Sequence, residues 1–219
     1  MQNILLIVLT ENNWLLEGLK SLLPEMACLR MNFNTRHIPH EVMSARRVII
    51  AVDSLIFFRG EWLAFNNLQS CRGNISVIWL MLEYTGRVFP AASRGDRILS
   101  QAMDIESMGH GIREIPDLPK ASKSTEYVRS VKLTLTERRL LPYFTTGVSL
   151  PVIARKLGCA VKTLYNHRQS ILAKAGFRQP VFMEYLYQRN PGFSGIYSPE
   201  LHLWKDIWQE QLEHGLSKD

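Results

Sequence analysis

Short apolar runs alternate with segments of helical spacing through residues 3–112, and this alternation restricts the fold more than any other feature of the chain. The segment Asn3–Leu9 is a continuous apolar run, as expected for a strand that is buried on both faces of a sheet. From Trp14 to Leu23, apolar residues recur at helical spacing. Strands that alternate with helices are typical of β/α units. The pattern therefore predicts an α/β, doubly wound domain with a five-stranded parallel sheet over residues 1–113.

The same two patterns locate the other elements of this domain and its end. The remaining strands are predicted at Cys28–Phe33, Arg47–Val52, Ile75–Met81 and Arg97–Leu99. Helices are predicted at His40–Ala45, Gly60–Ser70 and Ile105–Ile112, and a weaker helical pattern lies near Phe89–Arg94. Periodicity then stops, because residues 114–132 combine prolines with serines and lysines. This composition is typical of an interdomain linker.

Positive charge is concentrated in the segment Leu133–Arg189. It contains nine basic and two acidic residues, a net charge of +7, whereas the whole chain carries +6. A basic segment beside a nearly neutral one is the electrostatic pattern expected of a nucleic-acid-binding domain. A solvated charged face without a partner is the alternative interpretation.

Residues 133–189 are expected to form an all-α domain of four helices. Thr134 and Glu137 make a Thr-x-x-Glu capping box at the start of the first helix. This helix is expected to end near Gly147, and Pro142 inside it should kink or shorten it. A short second helix buries Ile153, Ala154 and Leu157, and a tight turn follows at Gly158–Ala160. The third and fourth helices are predicted at Val161–Ala173 and Pro180–Gln188.

The third helix carries a basic face that also bears side-chain amides. The face is predicted to contain Lys162, Tyr165, Asn166, Arg168 and Gln169. Asn and Gln can pair with adenine edges, while Lys and Arg neutralise phosphates. A face of this kind on a helix after a short turn indicates a helix that reads the major groove of double-stranded DNA.

The order and spacing of these residues resemble the LuxR/FixJ-type (GerE-like) helix-turn-helix. The matching positions are Leu133-Thr134, Glu137, Gly147, Ile153-Ala154, Leu157-Gly158, Thr163-Leu164, His167 and Lys174. The resemblance implies that Tyr165, Asn166 and Gln169 face the groove and that the fourth helix dimerises. It also places Thr163, Arg168 and Lys174 near the phosphates. One departure is Ala160, where the family usually has a Ser or Thr cap worth ~1 kcal/mol.

The first domain is similar to a response-regulator receiver, with Leu16-Glu17-Gly18-Leu19 as the matching string. Receivers hold Mg²⁺ with two acids after the first strand, and here those positions are Thr10 and Glu11. Asp53 stands where the phosphoacceptor would be. Gln101 replaces the expected lysine, and Met81 or Leu82 replaces the expected Thr or Ser.

These replacements predict a pseudo-receiver that serves dimerisation or partner docking. Phosphorylation of Asp53 is not expected, because positive charge near the developing anion is lost. The alternative is that Asp53 is phosphorylated, with Asp53 and Glu11 forming a weak metal site. No cofactor is expected. His37 and His40, which have metal-ligand spacing, are interpreted as part of an exposed loop.

The C-terminal extension, residues 190–219, contains a predicted amphipathic helix. Ser198-Pro199-Glu200 is typical of a helix start. One apolar stripe follows, formed by Leu201, Trp204, Trp208 and Leu212. The stripe is interpreted either as packing on the protein's own domains or as a contact with a second copy or a partner.

Two functions fit the sequence. The first is a bacterial transcription regulator that binds promoter DNA as a homodimer or a heterodimer. The second is a protein-interaction regulator that modulates another transcription factor and binds DNA poorly alone. No enzyme site is expected, since neither a Gly-rich phosphate loop nor a nucleophile elbow occurs. The scattered cysteines and the short N-terminal apolar run predict a cytoplasmic protein without a membrane segment.

Overall fold

The computed structural model describes residues 4–71, 75–83, 85–90, 93–115, 126–129 and 131–190. The chain divides into two compact units, Met1–Arg129 and Ser130–Asp219.

The first unit is an α/β domain in which strands and helices alternate. Its strands are β1 Ile4–Leu9, β2 Ala27–Met31, β3 Arg47–Asp53, β4 Ile75–Met81, β5 Arg97–Ser100 and β6 Glu126–Tyr127. Its helices are α1 Asn13–Leu22, α2 His40–Ser44, α3 Leu55–Arg59, α4 Leu63–Cys71 and α5 Ile105–Arg113. The sheet order is β2-β1-β3-β4-β5-β6, and β1 to β5 are all parallel. The predicted five-stranded parallel sheet is confirmed.

The central strands are apolar along their whole length because both faces of the sheet are covered. Alternate residues of a strand face opposite sides. Leu6, Ile49 and Ile78 belong to one buried cluster, which also includes Leu16 and Leu19 of α1. Side chains on the opposite face are buried as well, so β1, β3 and β4 do not show the alternation of a half-exposed strand.

The helix predicted at Gly60–Ser70 is present as α4, and an additional short helix precedes it. The additional helix is α3, which ends at Gly60 in a left-handed conformation with φ +67°. Helix α4 starts only at Leu63. The prediction missed α3 because the segment Leu55–Phe58 is uniformly apolar and therefore has no helical period. Near Phe89–Arg94, the described residues contain no α-helix, and residues 91 and 92 lie outside the described part of the chain.

Residues 131–190, the described part of the second unit, contain four helices, as the sequence predicted. They are α6 Leu135–Phe144, α7 Leu150–Leu157, α8 Val161–Ala175 and α9 Pro180–Arg189. The capping box at the start of α6 is present in full, with both Thr134 and Glu137 as donors and acceptors. Pro142 lies in the last turn of α6, which ends at Phe144 rather than near Gly147. Gly158 closes α7 in a left-handed conformation.

Strand β6 lies inside residues 114–132, the segment predicted as a linker. It pairs antiparallel with β5. The buried residue Val128 then donates its N–H to the Asp96 carbonyl at 2.8 Å and accepts from the Gly95 N–H at 3.1 Å. An edge strand carries unpaired N–H and C=O groups, and β6 satisfies part of those of β5. Local composition did not reveal this strand because its partner is distant in sequence.

An aromatic cluster lies on the face of the sheet opposite the α1 side. Trp79 of β4 is fully buried, and its ring centroid lies 5.4 Å from that of Phe57 and 5.3 Å from that of Phe89. The Trp79 indole Nε1–H donates to Asp96 Oδ2 at 3.1 Å. Burial raises the pKa of Asp96 to about 6, although the hydrogen bond from Trp79 acts in the opposite direction.

We predict that the first unit becomes less stable as the pH rises from about 4 to 7. The pKa of Asp96 is higher in the folded protein than its ordinary value of 3.8, so the folded state holds the proton more tightly. This contribution is present below pH 3.8 and is lost as the pH rises through about 6. Asp96→Asn should flatten this part of the pH profile.

Urea unfolding followed by tryptophan fluorescence measures the effect. Trp204→Phe and Trp208→Phe confine the signal to Trp14, Trp62 and Trp79, which all belong to the first unit. An unchanged pH profile in the Asp96→Asn variant would contradict the prediction.

Candidate nucleic-acid interface and the Asp53 pocket

Helix α8 is anchored by a buried face and leaves its opposite face in solvent. Leu164, Ile171, Leu172 and Ala175 are buried. The helix follows the left-handed turn at Gly158, and no side chain caps its first amides, because Ala160 occupies the N-cap position. The sequence predicted that Ala160 stands at this position and cannot cap the helix, and the structure confirms it.

Most of the predicted DNA-binding residues lie on the solvent side of α8. Lys162, Thr163, Tyr165, Asn166 and Gln169 are exposed. Lys162, Asn166 and Gln169 follow one another at spacings of four and three residues, so they form one row along the helix. The structure thus places Lys162, Asn166 and Gln169 together on one exposed side of the helix.

Arg168 differs from these residues because it is only partly exposed. Its guanidinium carbon lies 5.9 Å from the centre of the Tyr165 ring. Its Nε is buried and has no hydrogen-bond partner among the described residues. Burial raises the pKa of Glu184 on α9, and the charge of Arg168 opposes that rise. Arg168 is therefore held against its own helix, near an acidic residue.

Lys174 forms an ion pair inside the second unit. Its Nζ lies 2.6 Å from Glu137 Oε1 and 2.7 Å from Oε2, and the Glu137 side chain is only 4% exposed. Ser170 Oγ also donates to Oε1 at 2.7 Å, and the Thr134 N–H donates to Oε2 at 2.7 Å. One carboxylate thus joins the start of α6 to the end of α8. The expected phosphate contact of Lys174 stays a prediction.

Sequence analysis recognised Glu137 only as a capping residue. Burial alone would raise its pKa, but the hydrogen bonds from Lys174, Ser170 and Thr134 outweigh burial and lower the pKa to about 2. Ser170 and Lys174 lie four residues apart on one side of α8, and that spacing was the available signal for a shared partner.

The Asp53 carboxylate lies at the end of β3 and is only 1% exposed. Thr10 Oγ1 donates to Oδ2 at 2.6 Å. Gln101 Nε2 donates to Oδ1 at 3.0 Å, and the Leu55 N–H donates to the same oxygen at 3.1 Å. Thr10 and Gln101, two of the replacements identified in the sequence, therefore both donate hydrogen bonds to Asp53.

Glu11, which follows Thr10 in the chain, has a basic partner of its own. Its carboxylate forms an ion pair with Arg59 at 2.7 Å. Across the described ranges, no three His, Cys, Asp or Glu side chains form a group that could hold a metal ion. His37 and His40 are both exposed, and His40 begins α2.

Two further predictions concern the membrane and the C-terminal stripe. None of the helices in the part of the chain that the structure describes is long and apolar enough to span a membrane. The stripe of Leu201, Trp204, Trp208 and Leu212 lies outside the described residues.

We predict that Glu137→Gln destabilises the second unit by about 3 kcal/mol at pH 7. The pKa of Glu137 in the folded protein lies below its ordinary value of 4.5. Its contribution to stability is therefore present above pH 4.5 and is lost as the pH falls towards about 2. Wild type should thus lose stability in acid more steeply than the variant. Urea unfolding followed by circular dichroism at several pH values measures both effects.

Glu17→Gln is the control for this experiment. It breaks an exposed ion pair with Lys20, which has an Nζ–Oε1 distance of 2.8 Å, and should change stability by less than about 1 kcal/mol. Equal effects of the two variants would show that the Glu137 carboxylate has no special role.

Known proteins resemble this chain in structure rather than in sequence. No family model matches the chain, and no curated protein matches it. A structure of the two-component response regulator RcsB in complex with DNA is 14% identical, with a TM-score of 0.60 over 85% of this chain and 98% of that chain. A structure of two RcsB dimers bound to two parallel DNAs has the same identity and coverage and a TM-score of 0.59.

A third similar structure is RcsB from Salmonella enterica serovar Typhimurium, bound to a promoter in the presence of the phosphomimetic BeF3⁻. It is 12% identical, covers 85% of this chain and 98% of that chain, and has a TM-score of 0.59. Identities this low establish the fold. The chain, an α/β unit followed by a helical unit, shares the fold of these RcsB structures.

Proposed function

We propose that this protein is a transcription regulator that binds promoter DNA through the exposed face of α8. The observation that carries the proposal is the row of Lys162, Asn166 and Gln169 on a helix that is fixed by an ion pair with the buried carboxylate of Glu137. The similar RcsB structures in complex with DNA support it.

The residues of α8 have separate roles in this proposal. Asn166 and Gln169 contact base edges, and the exposed Tyr165 lies beside them. Lys162, Thr163 and Arg168 contact phosphates, which position the helix without reading sequence. Lys174 chiefly holds α8 against α6.

The protein acts as a homodimer or a heterodimer in this proposal. Helix α9 carries two exposed apolar side chains, Val181 and Tyr185, at a spacing of four residues. Such a pair lies on one side of a helix and suits contact with a second helix. The receiver-like unit contributes a further surface for dimerisation or partner docking.

Regulation does not require phosphorylation of Asp53. Both carboxylate oxygens already accept hydrogen bonds, and the nearby carboxylate Glu11 is paired with Arg59. Thr10 supplies a hydroxyl where phosphoryl transfer would need a second carboxylate for Mg²⁺. Gln101 supplies an uncharged donor where the transferred group would need a cation.

A second candidate function is a regulator that modulates another transcription factor and binds DNA poorly alone. Trp14 on α1 is 88% exposed, which is the observation that favours it. Exposed tryptophan is a typical anchor of protein–protein interfaces. Selection of genomic DNA fragments by the full-length protein at about 0.15 M salt separates the two functions, because non-specific binding is weak there.

Two substitutions on α8 should affect DNA binding differently. Asn166→Ala should weaken binding to the selected site by about 1–3 kcal/mol and relax sequence preference at one position. Lys162→Ala should weaken binding to all sequences about equally and reduce the salt dependence by about one phosphate contact. Titrations over a range of salt concentrations measure both, and an unchanged affinity of Asn166→Ala would remove this residue from the reading face.

We predict that acetyl phosphate with Mg²⁺ does not label Asp53. Mass spectrometry of the intact protein detects the acyl phosphate. The variant carrying Thr10→Asp and Gln101→Lys restores a carboxylate and an ammonium beside Asp53 and serves as the positive control. Stoichiometric labelling of wild type that is lost in Asp53→Asn would overturn the proposed independence from phosphorylation.

A further inference from the structure

We propose that α8 recognises half-sites rich in A·T pairs, through the methyl groups of thymine and the edge of adenine. This inference rests on the proposed function, because it names the base pairs that the same helix would read. Two neighbouring rows of exposed side chains and the position of Arg168 support the inference.

The first row is apolar and consists of Val161 and Tyr165. These residues are 42% and 48% exposed, respectively. They are four residues apart and therefore lie next to each other along the helix. In the major groove, the thymine C5-methyl is the apolar group that a base pair presents, and apolar side chains contact it.

The second row is polar and consists of Lys162, Asn166 and Gln169, all exposed. Gln169 lies four residues after Tyr165, so the polar row meets the apolar row on one side of the helix. Asn and Gln make bidentate contacts with adenine N6 and N7. An A·T pair presents the adenine edge and the thymine methyl side by side in one groove, and the two rows match that combination.

The position of Arg168 disfavours reading of guanine. Bidentate contact of Arg with guanine O6 and N7 is the commonest specific contact in the major groove. Arg168 is the only arginine of α8, all of whose residues are described. Its Nε is buried, and its guanidinium lies over the Tyr165 ring at 5.9 Å and within reach of the Glu184 charge. Arg168 therefore packs on Tyr165, and we expect it to contact a phosphate rather than a base edge.

The experiment is selection from a random-sequence duplex library by the full-length protein, followed by titration of the best duplex. A second duplex carries deoxyuridine in place of each half-site thymidine, which removes the C5-methyl and leaves the hydrogen-bonding groups unchanged. We expect A·T-rich half-sites, and about fourfold weaker binding for each contacted methyl that is removed.

Variants assign the methyl contacts to particular side chains. Tyr165→Ala and Val161→Ala should each bind the thymidine and deoxyuridine duplexes more equally than wild type does. Tyr165→Phe keeps the ring and should keep the wild-type preference. Val152→Ala is the matched control, since Val152 is an exposed valine of α7 outside both rows.

Each outcome bears on a different proposal. Half-sites rich in G·C pairs, or equal binding of the thymidine and deoxyuridine duplexes by wild type, would overturn this inference while leaving DNA binding intact. Failure to enrich any sequence would overturn the proposed function and this inference with it. A·T-rich sites that lose their methyl dependence in Tyr165→Ala would establish both.

Discussion

The Glu137 carboxylate fixes α8 against α6, and any function of α8 depends on that position. It accepts hydrogen bonds from the Thr134 N–H at the start of α6 and from Ser170 and Lys174 near the end of α8. Removing a charged pair from water is costly, so such a pair stabilises a fold only when its remaining hydrogen-bonding groups are satisfied. In this protein the hydrogen bonds from Thr134 and Ser170 satisfy those groups, and the position of α8 relative to α6 depends on these contacts.

The first unit also has a buried carboxylate, but its partners are of a different kind. Asp53 is bound by a hydroxyl, a side-chain amide and a backbone N–H, none of which is charged. Donors of this kind hold the carboxylate in one position and occupy three of its roughly four lone-pair sites. Asp53 is thus a buried, hydrogen-bonded residue at the end of β3.

Features set by local periodicity could be predicted from the sequence. The five parallel strands follow from apolar runs, and the capping box of Thr134 and Glu137 follows from a fixed spacing. The exposed row on α8 was also predicted, because helical spacing decides which side chains share a face.

Features that depend on contacts between distant residues could not be predicted. Strand β6 exists because β5 leaves an edge open, and nothing in the composition of residues 114–132 indicates that pairing. The tertiary role of Glu137 likewise depends on Ser170 and Lys174, which lie on another helix. Position along the chain could place Arg168 near the reading face but could not determine where its guanidinium lies.

Strand β6 also determines where the first unit can be cut. A fragment that ends at residue 113, where the periodic pattern stops, would lack the strand that pairs with β5 and the Val128 side chain that is buried in this unit. Its open edge would be able to pair with the same edge of another molecule, which is a common route to aggregation. During synthesis the same edge stays open until residue 127 has left the ribosome, so completion of this sheet must wait for the segment that leads into the second unit.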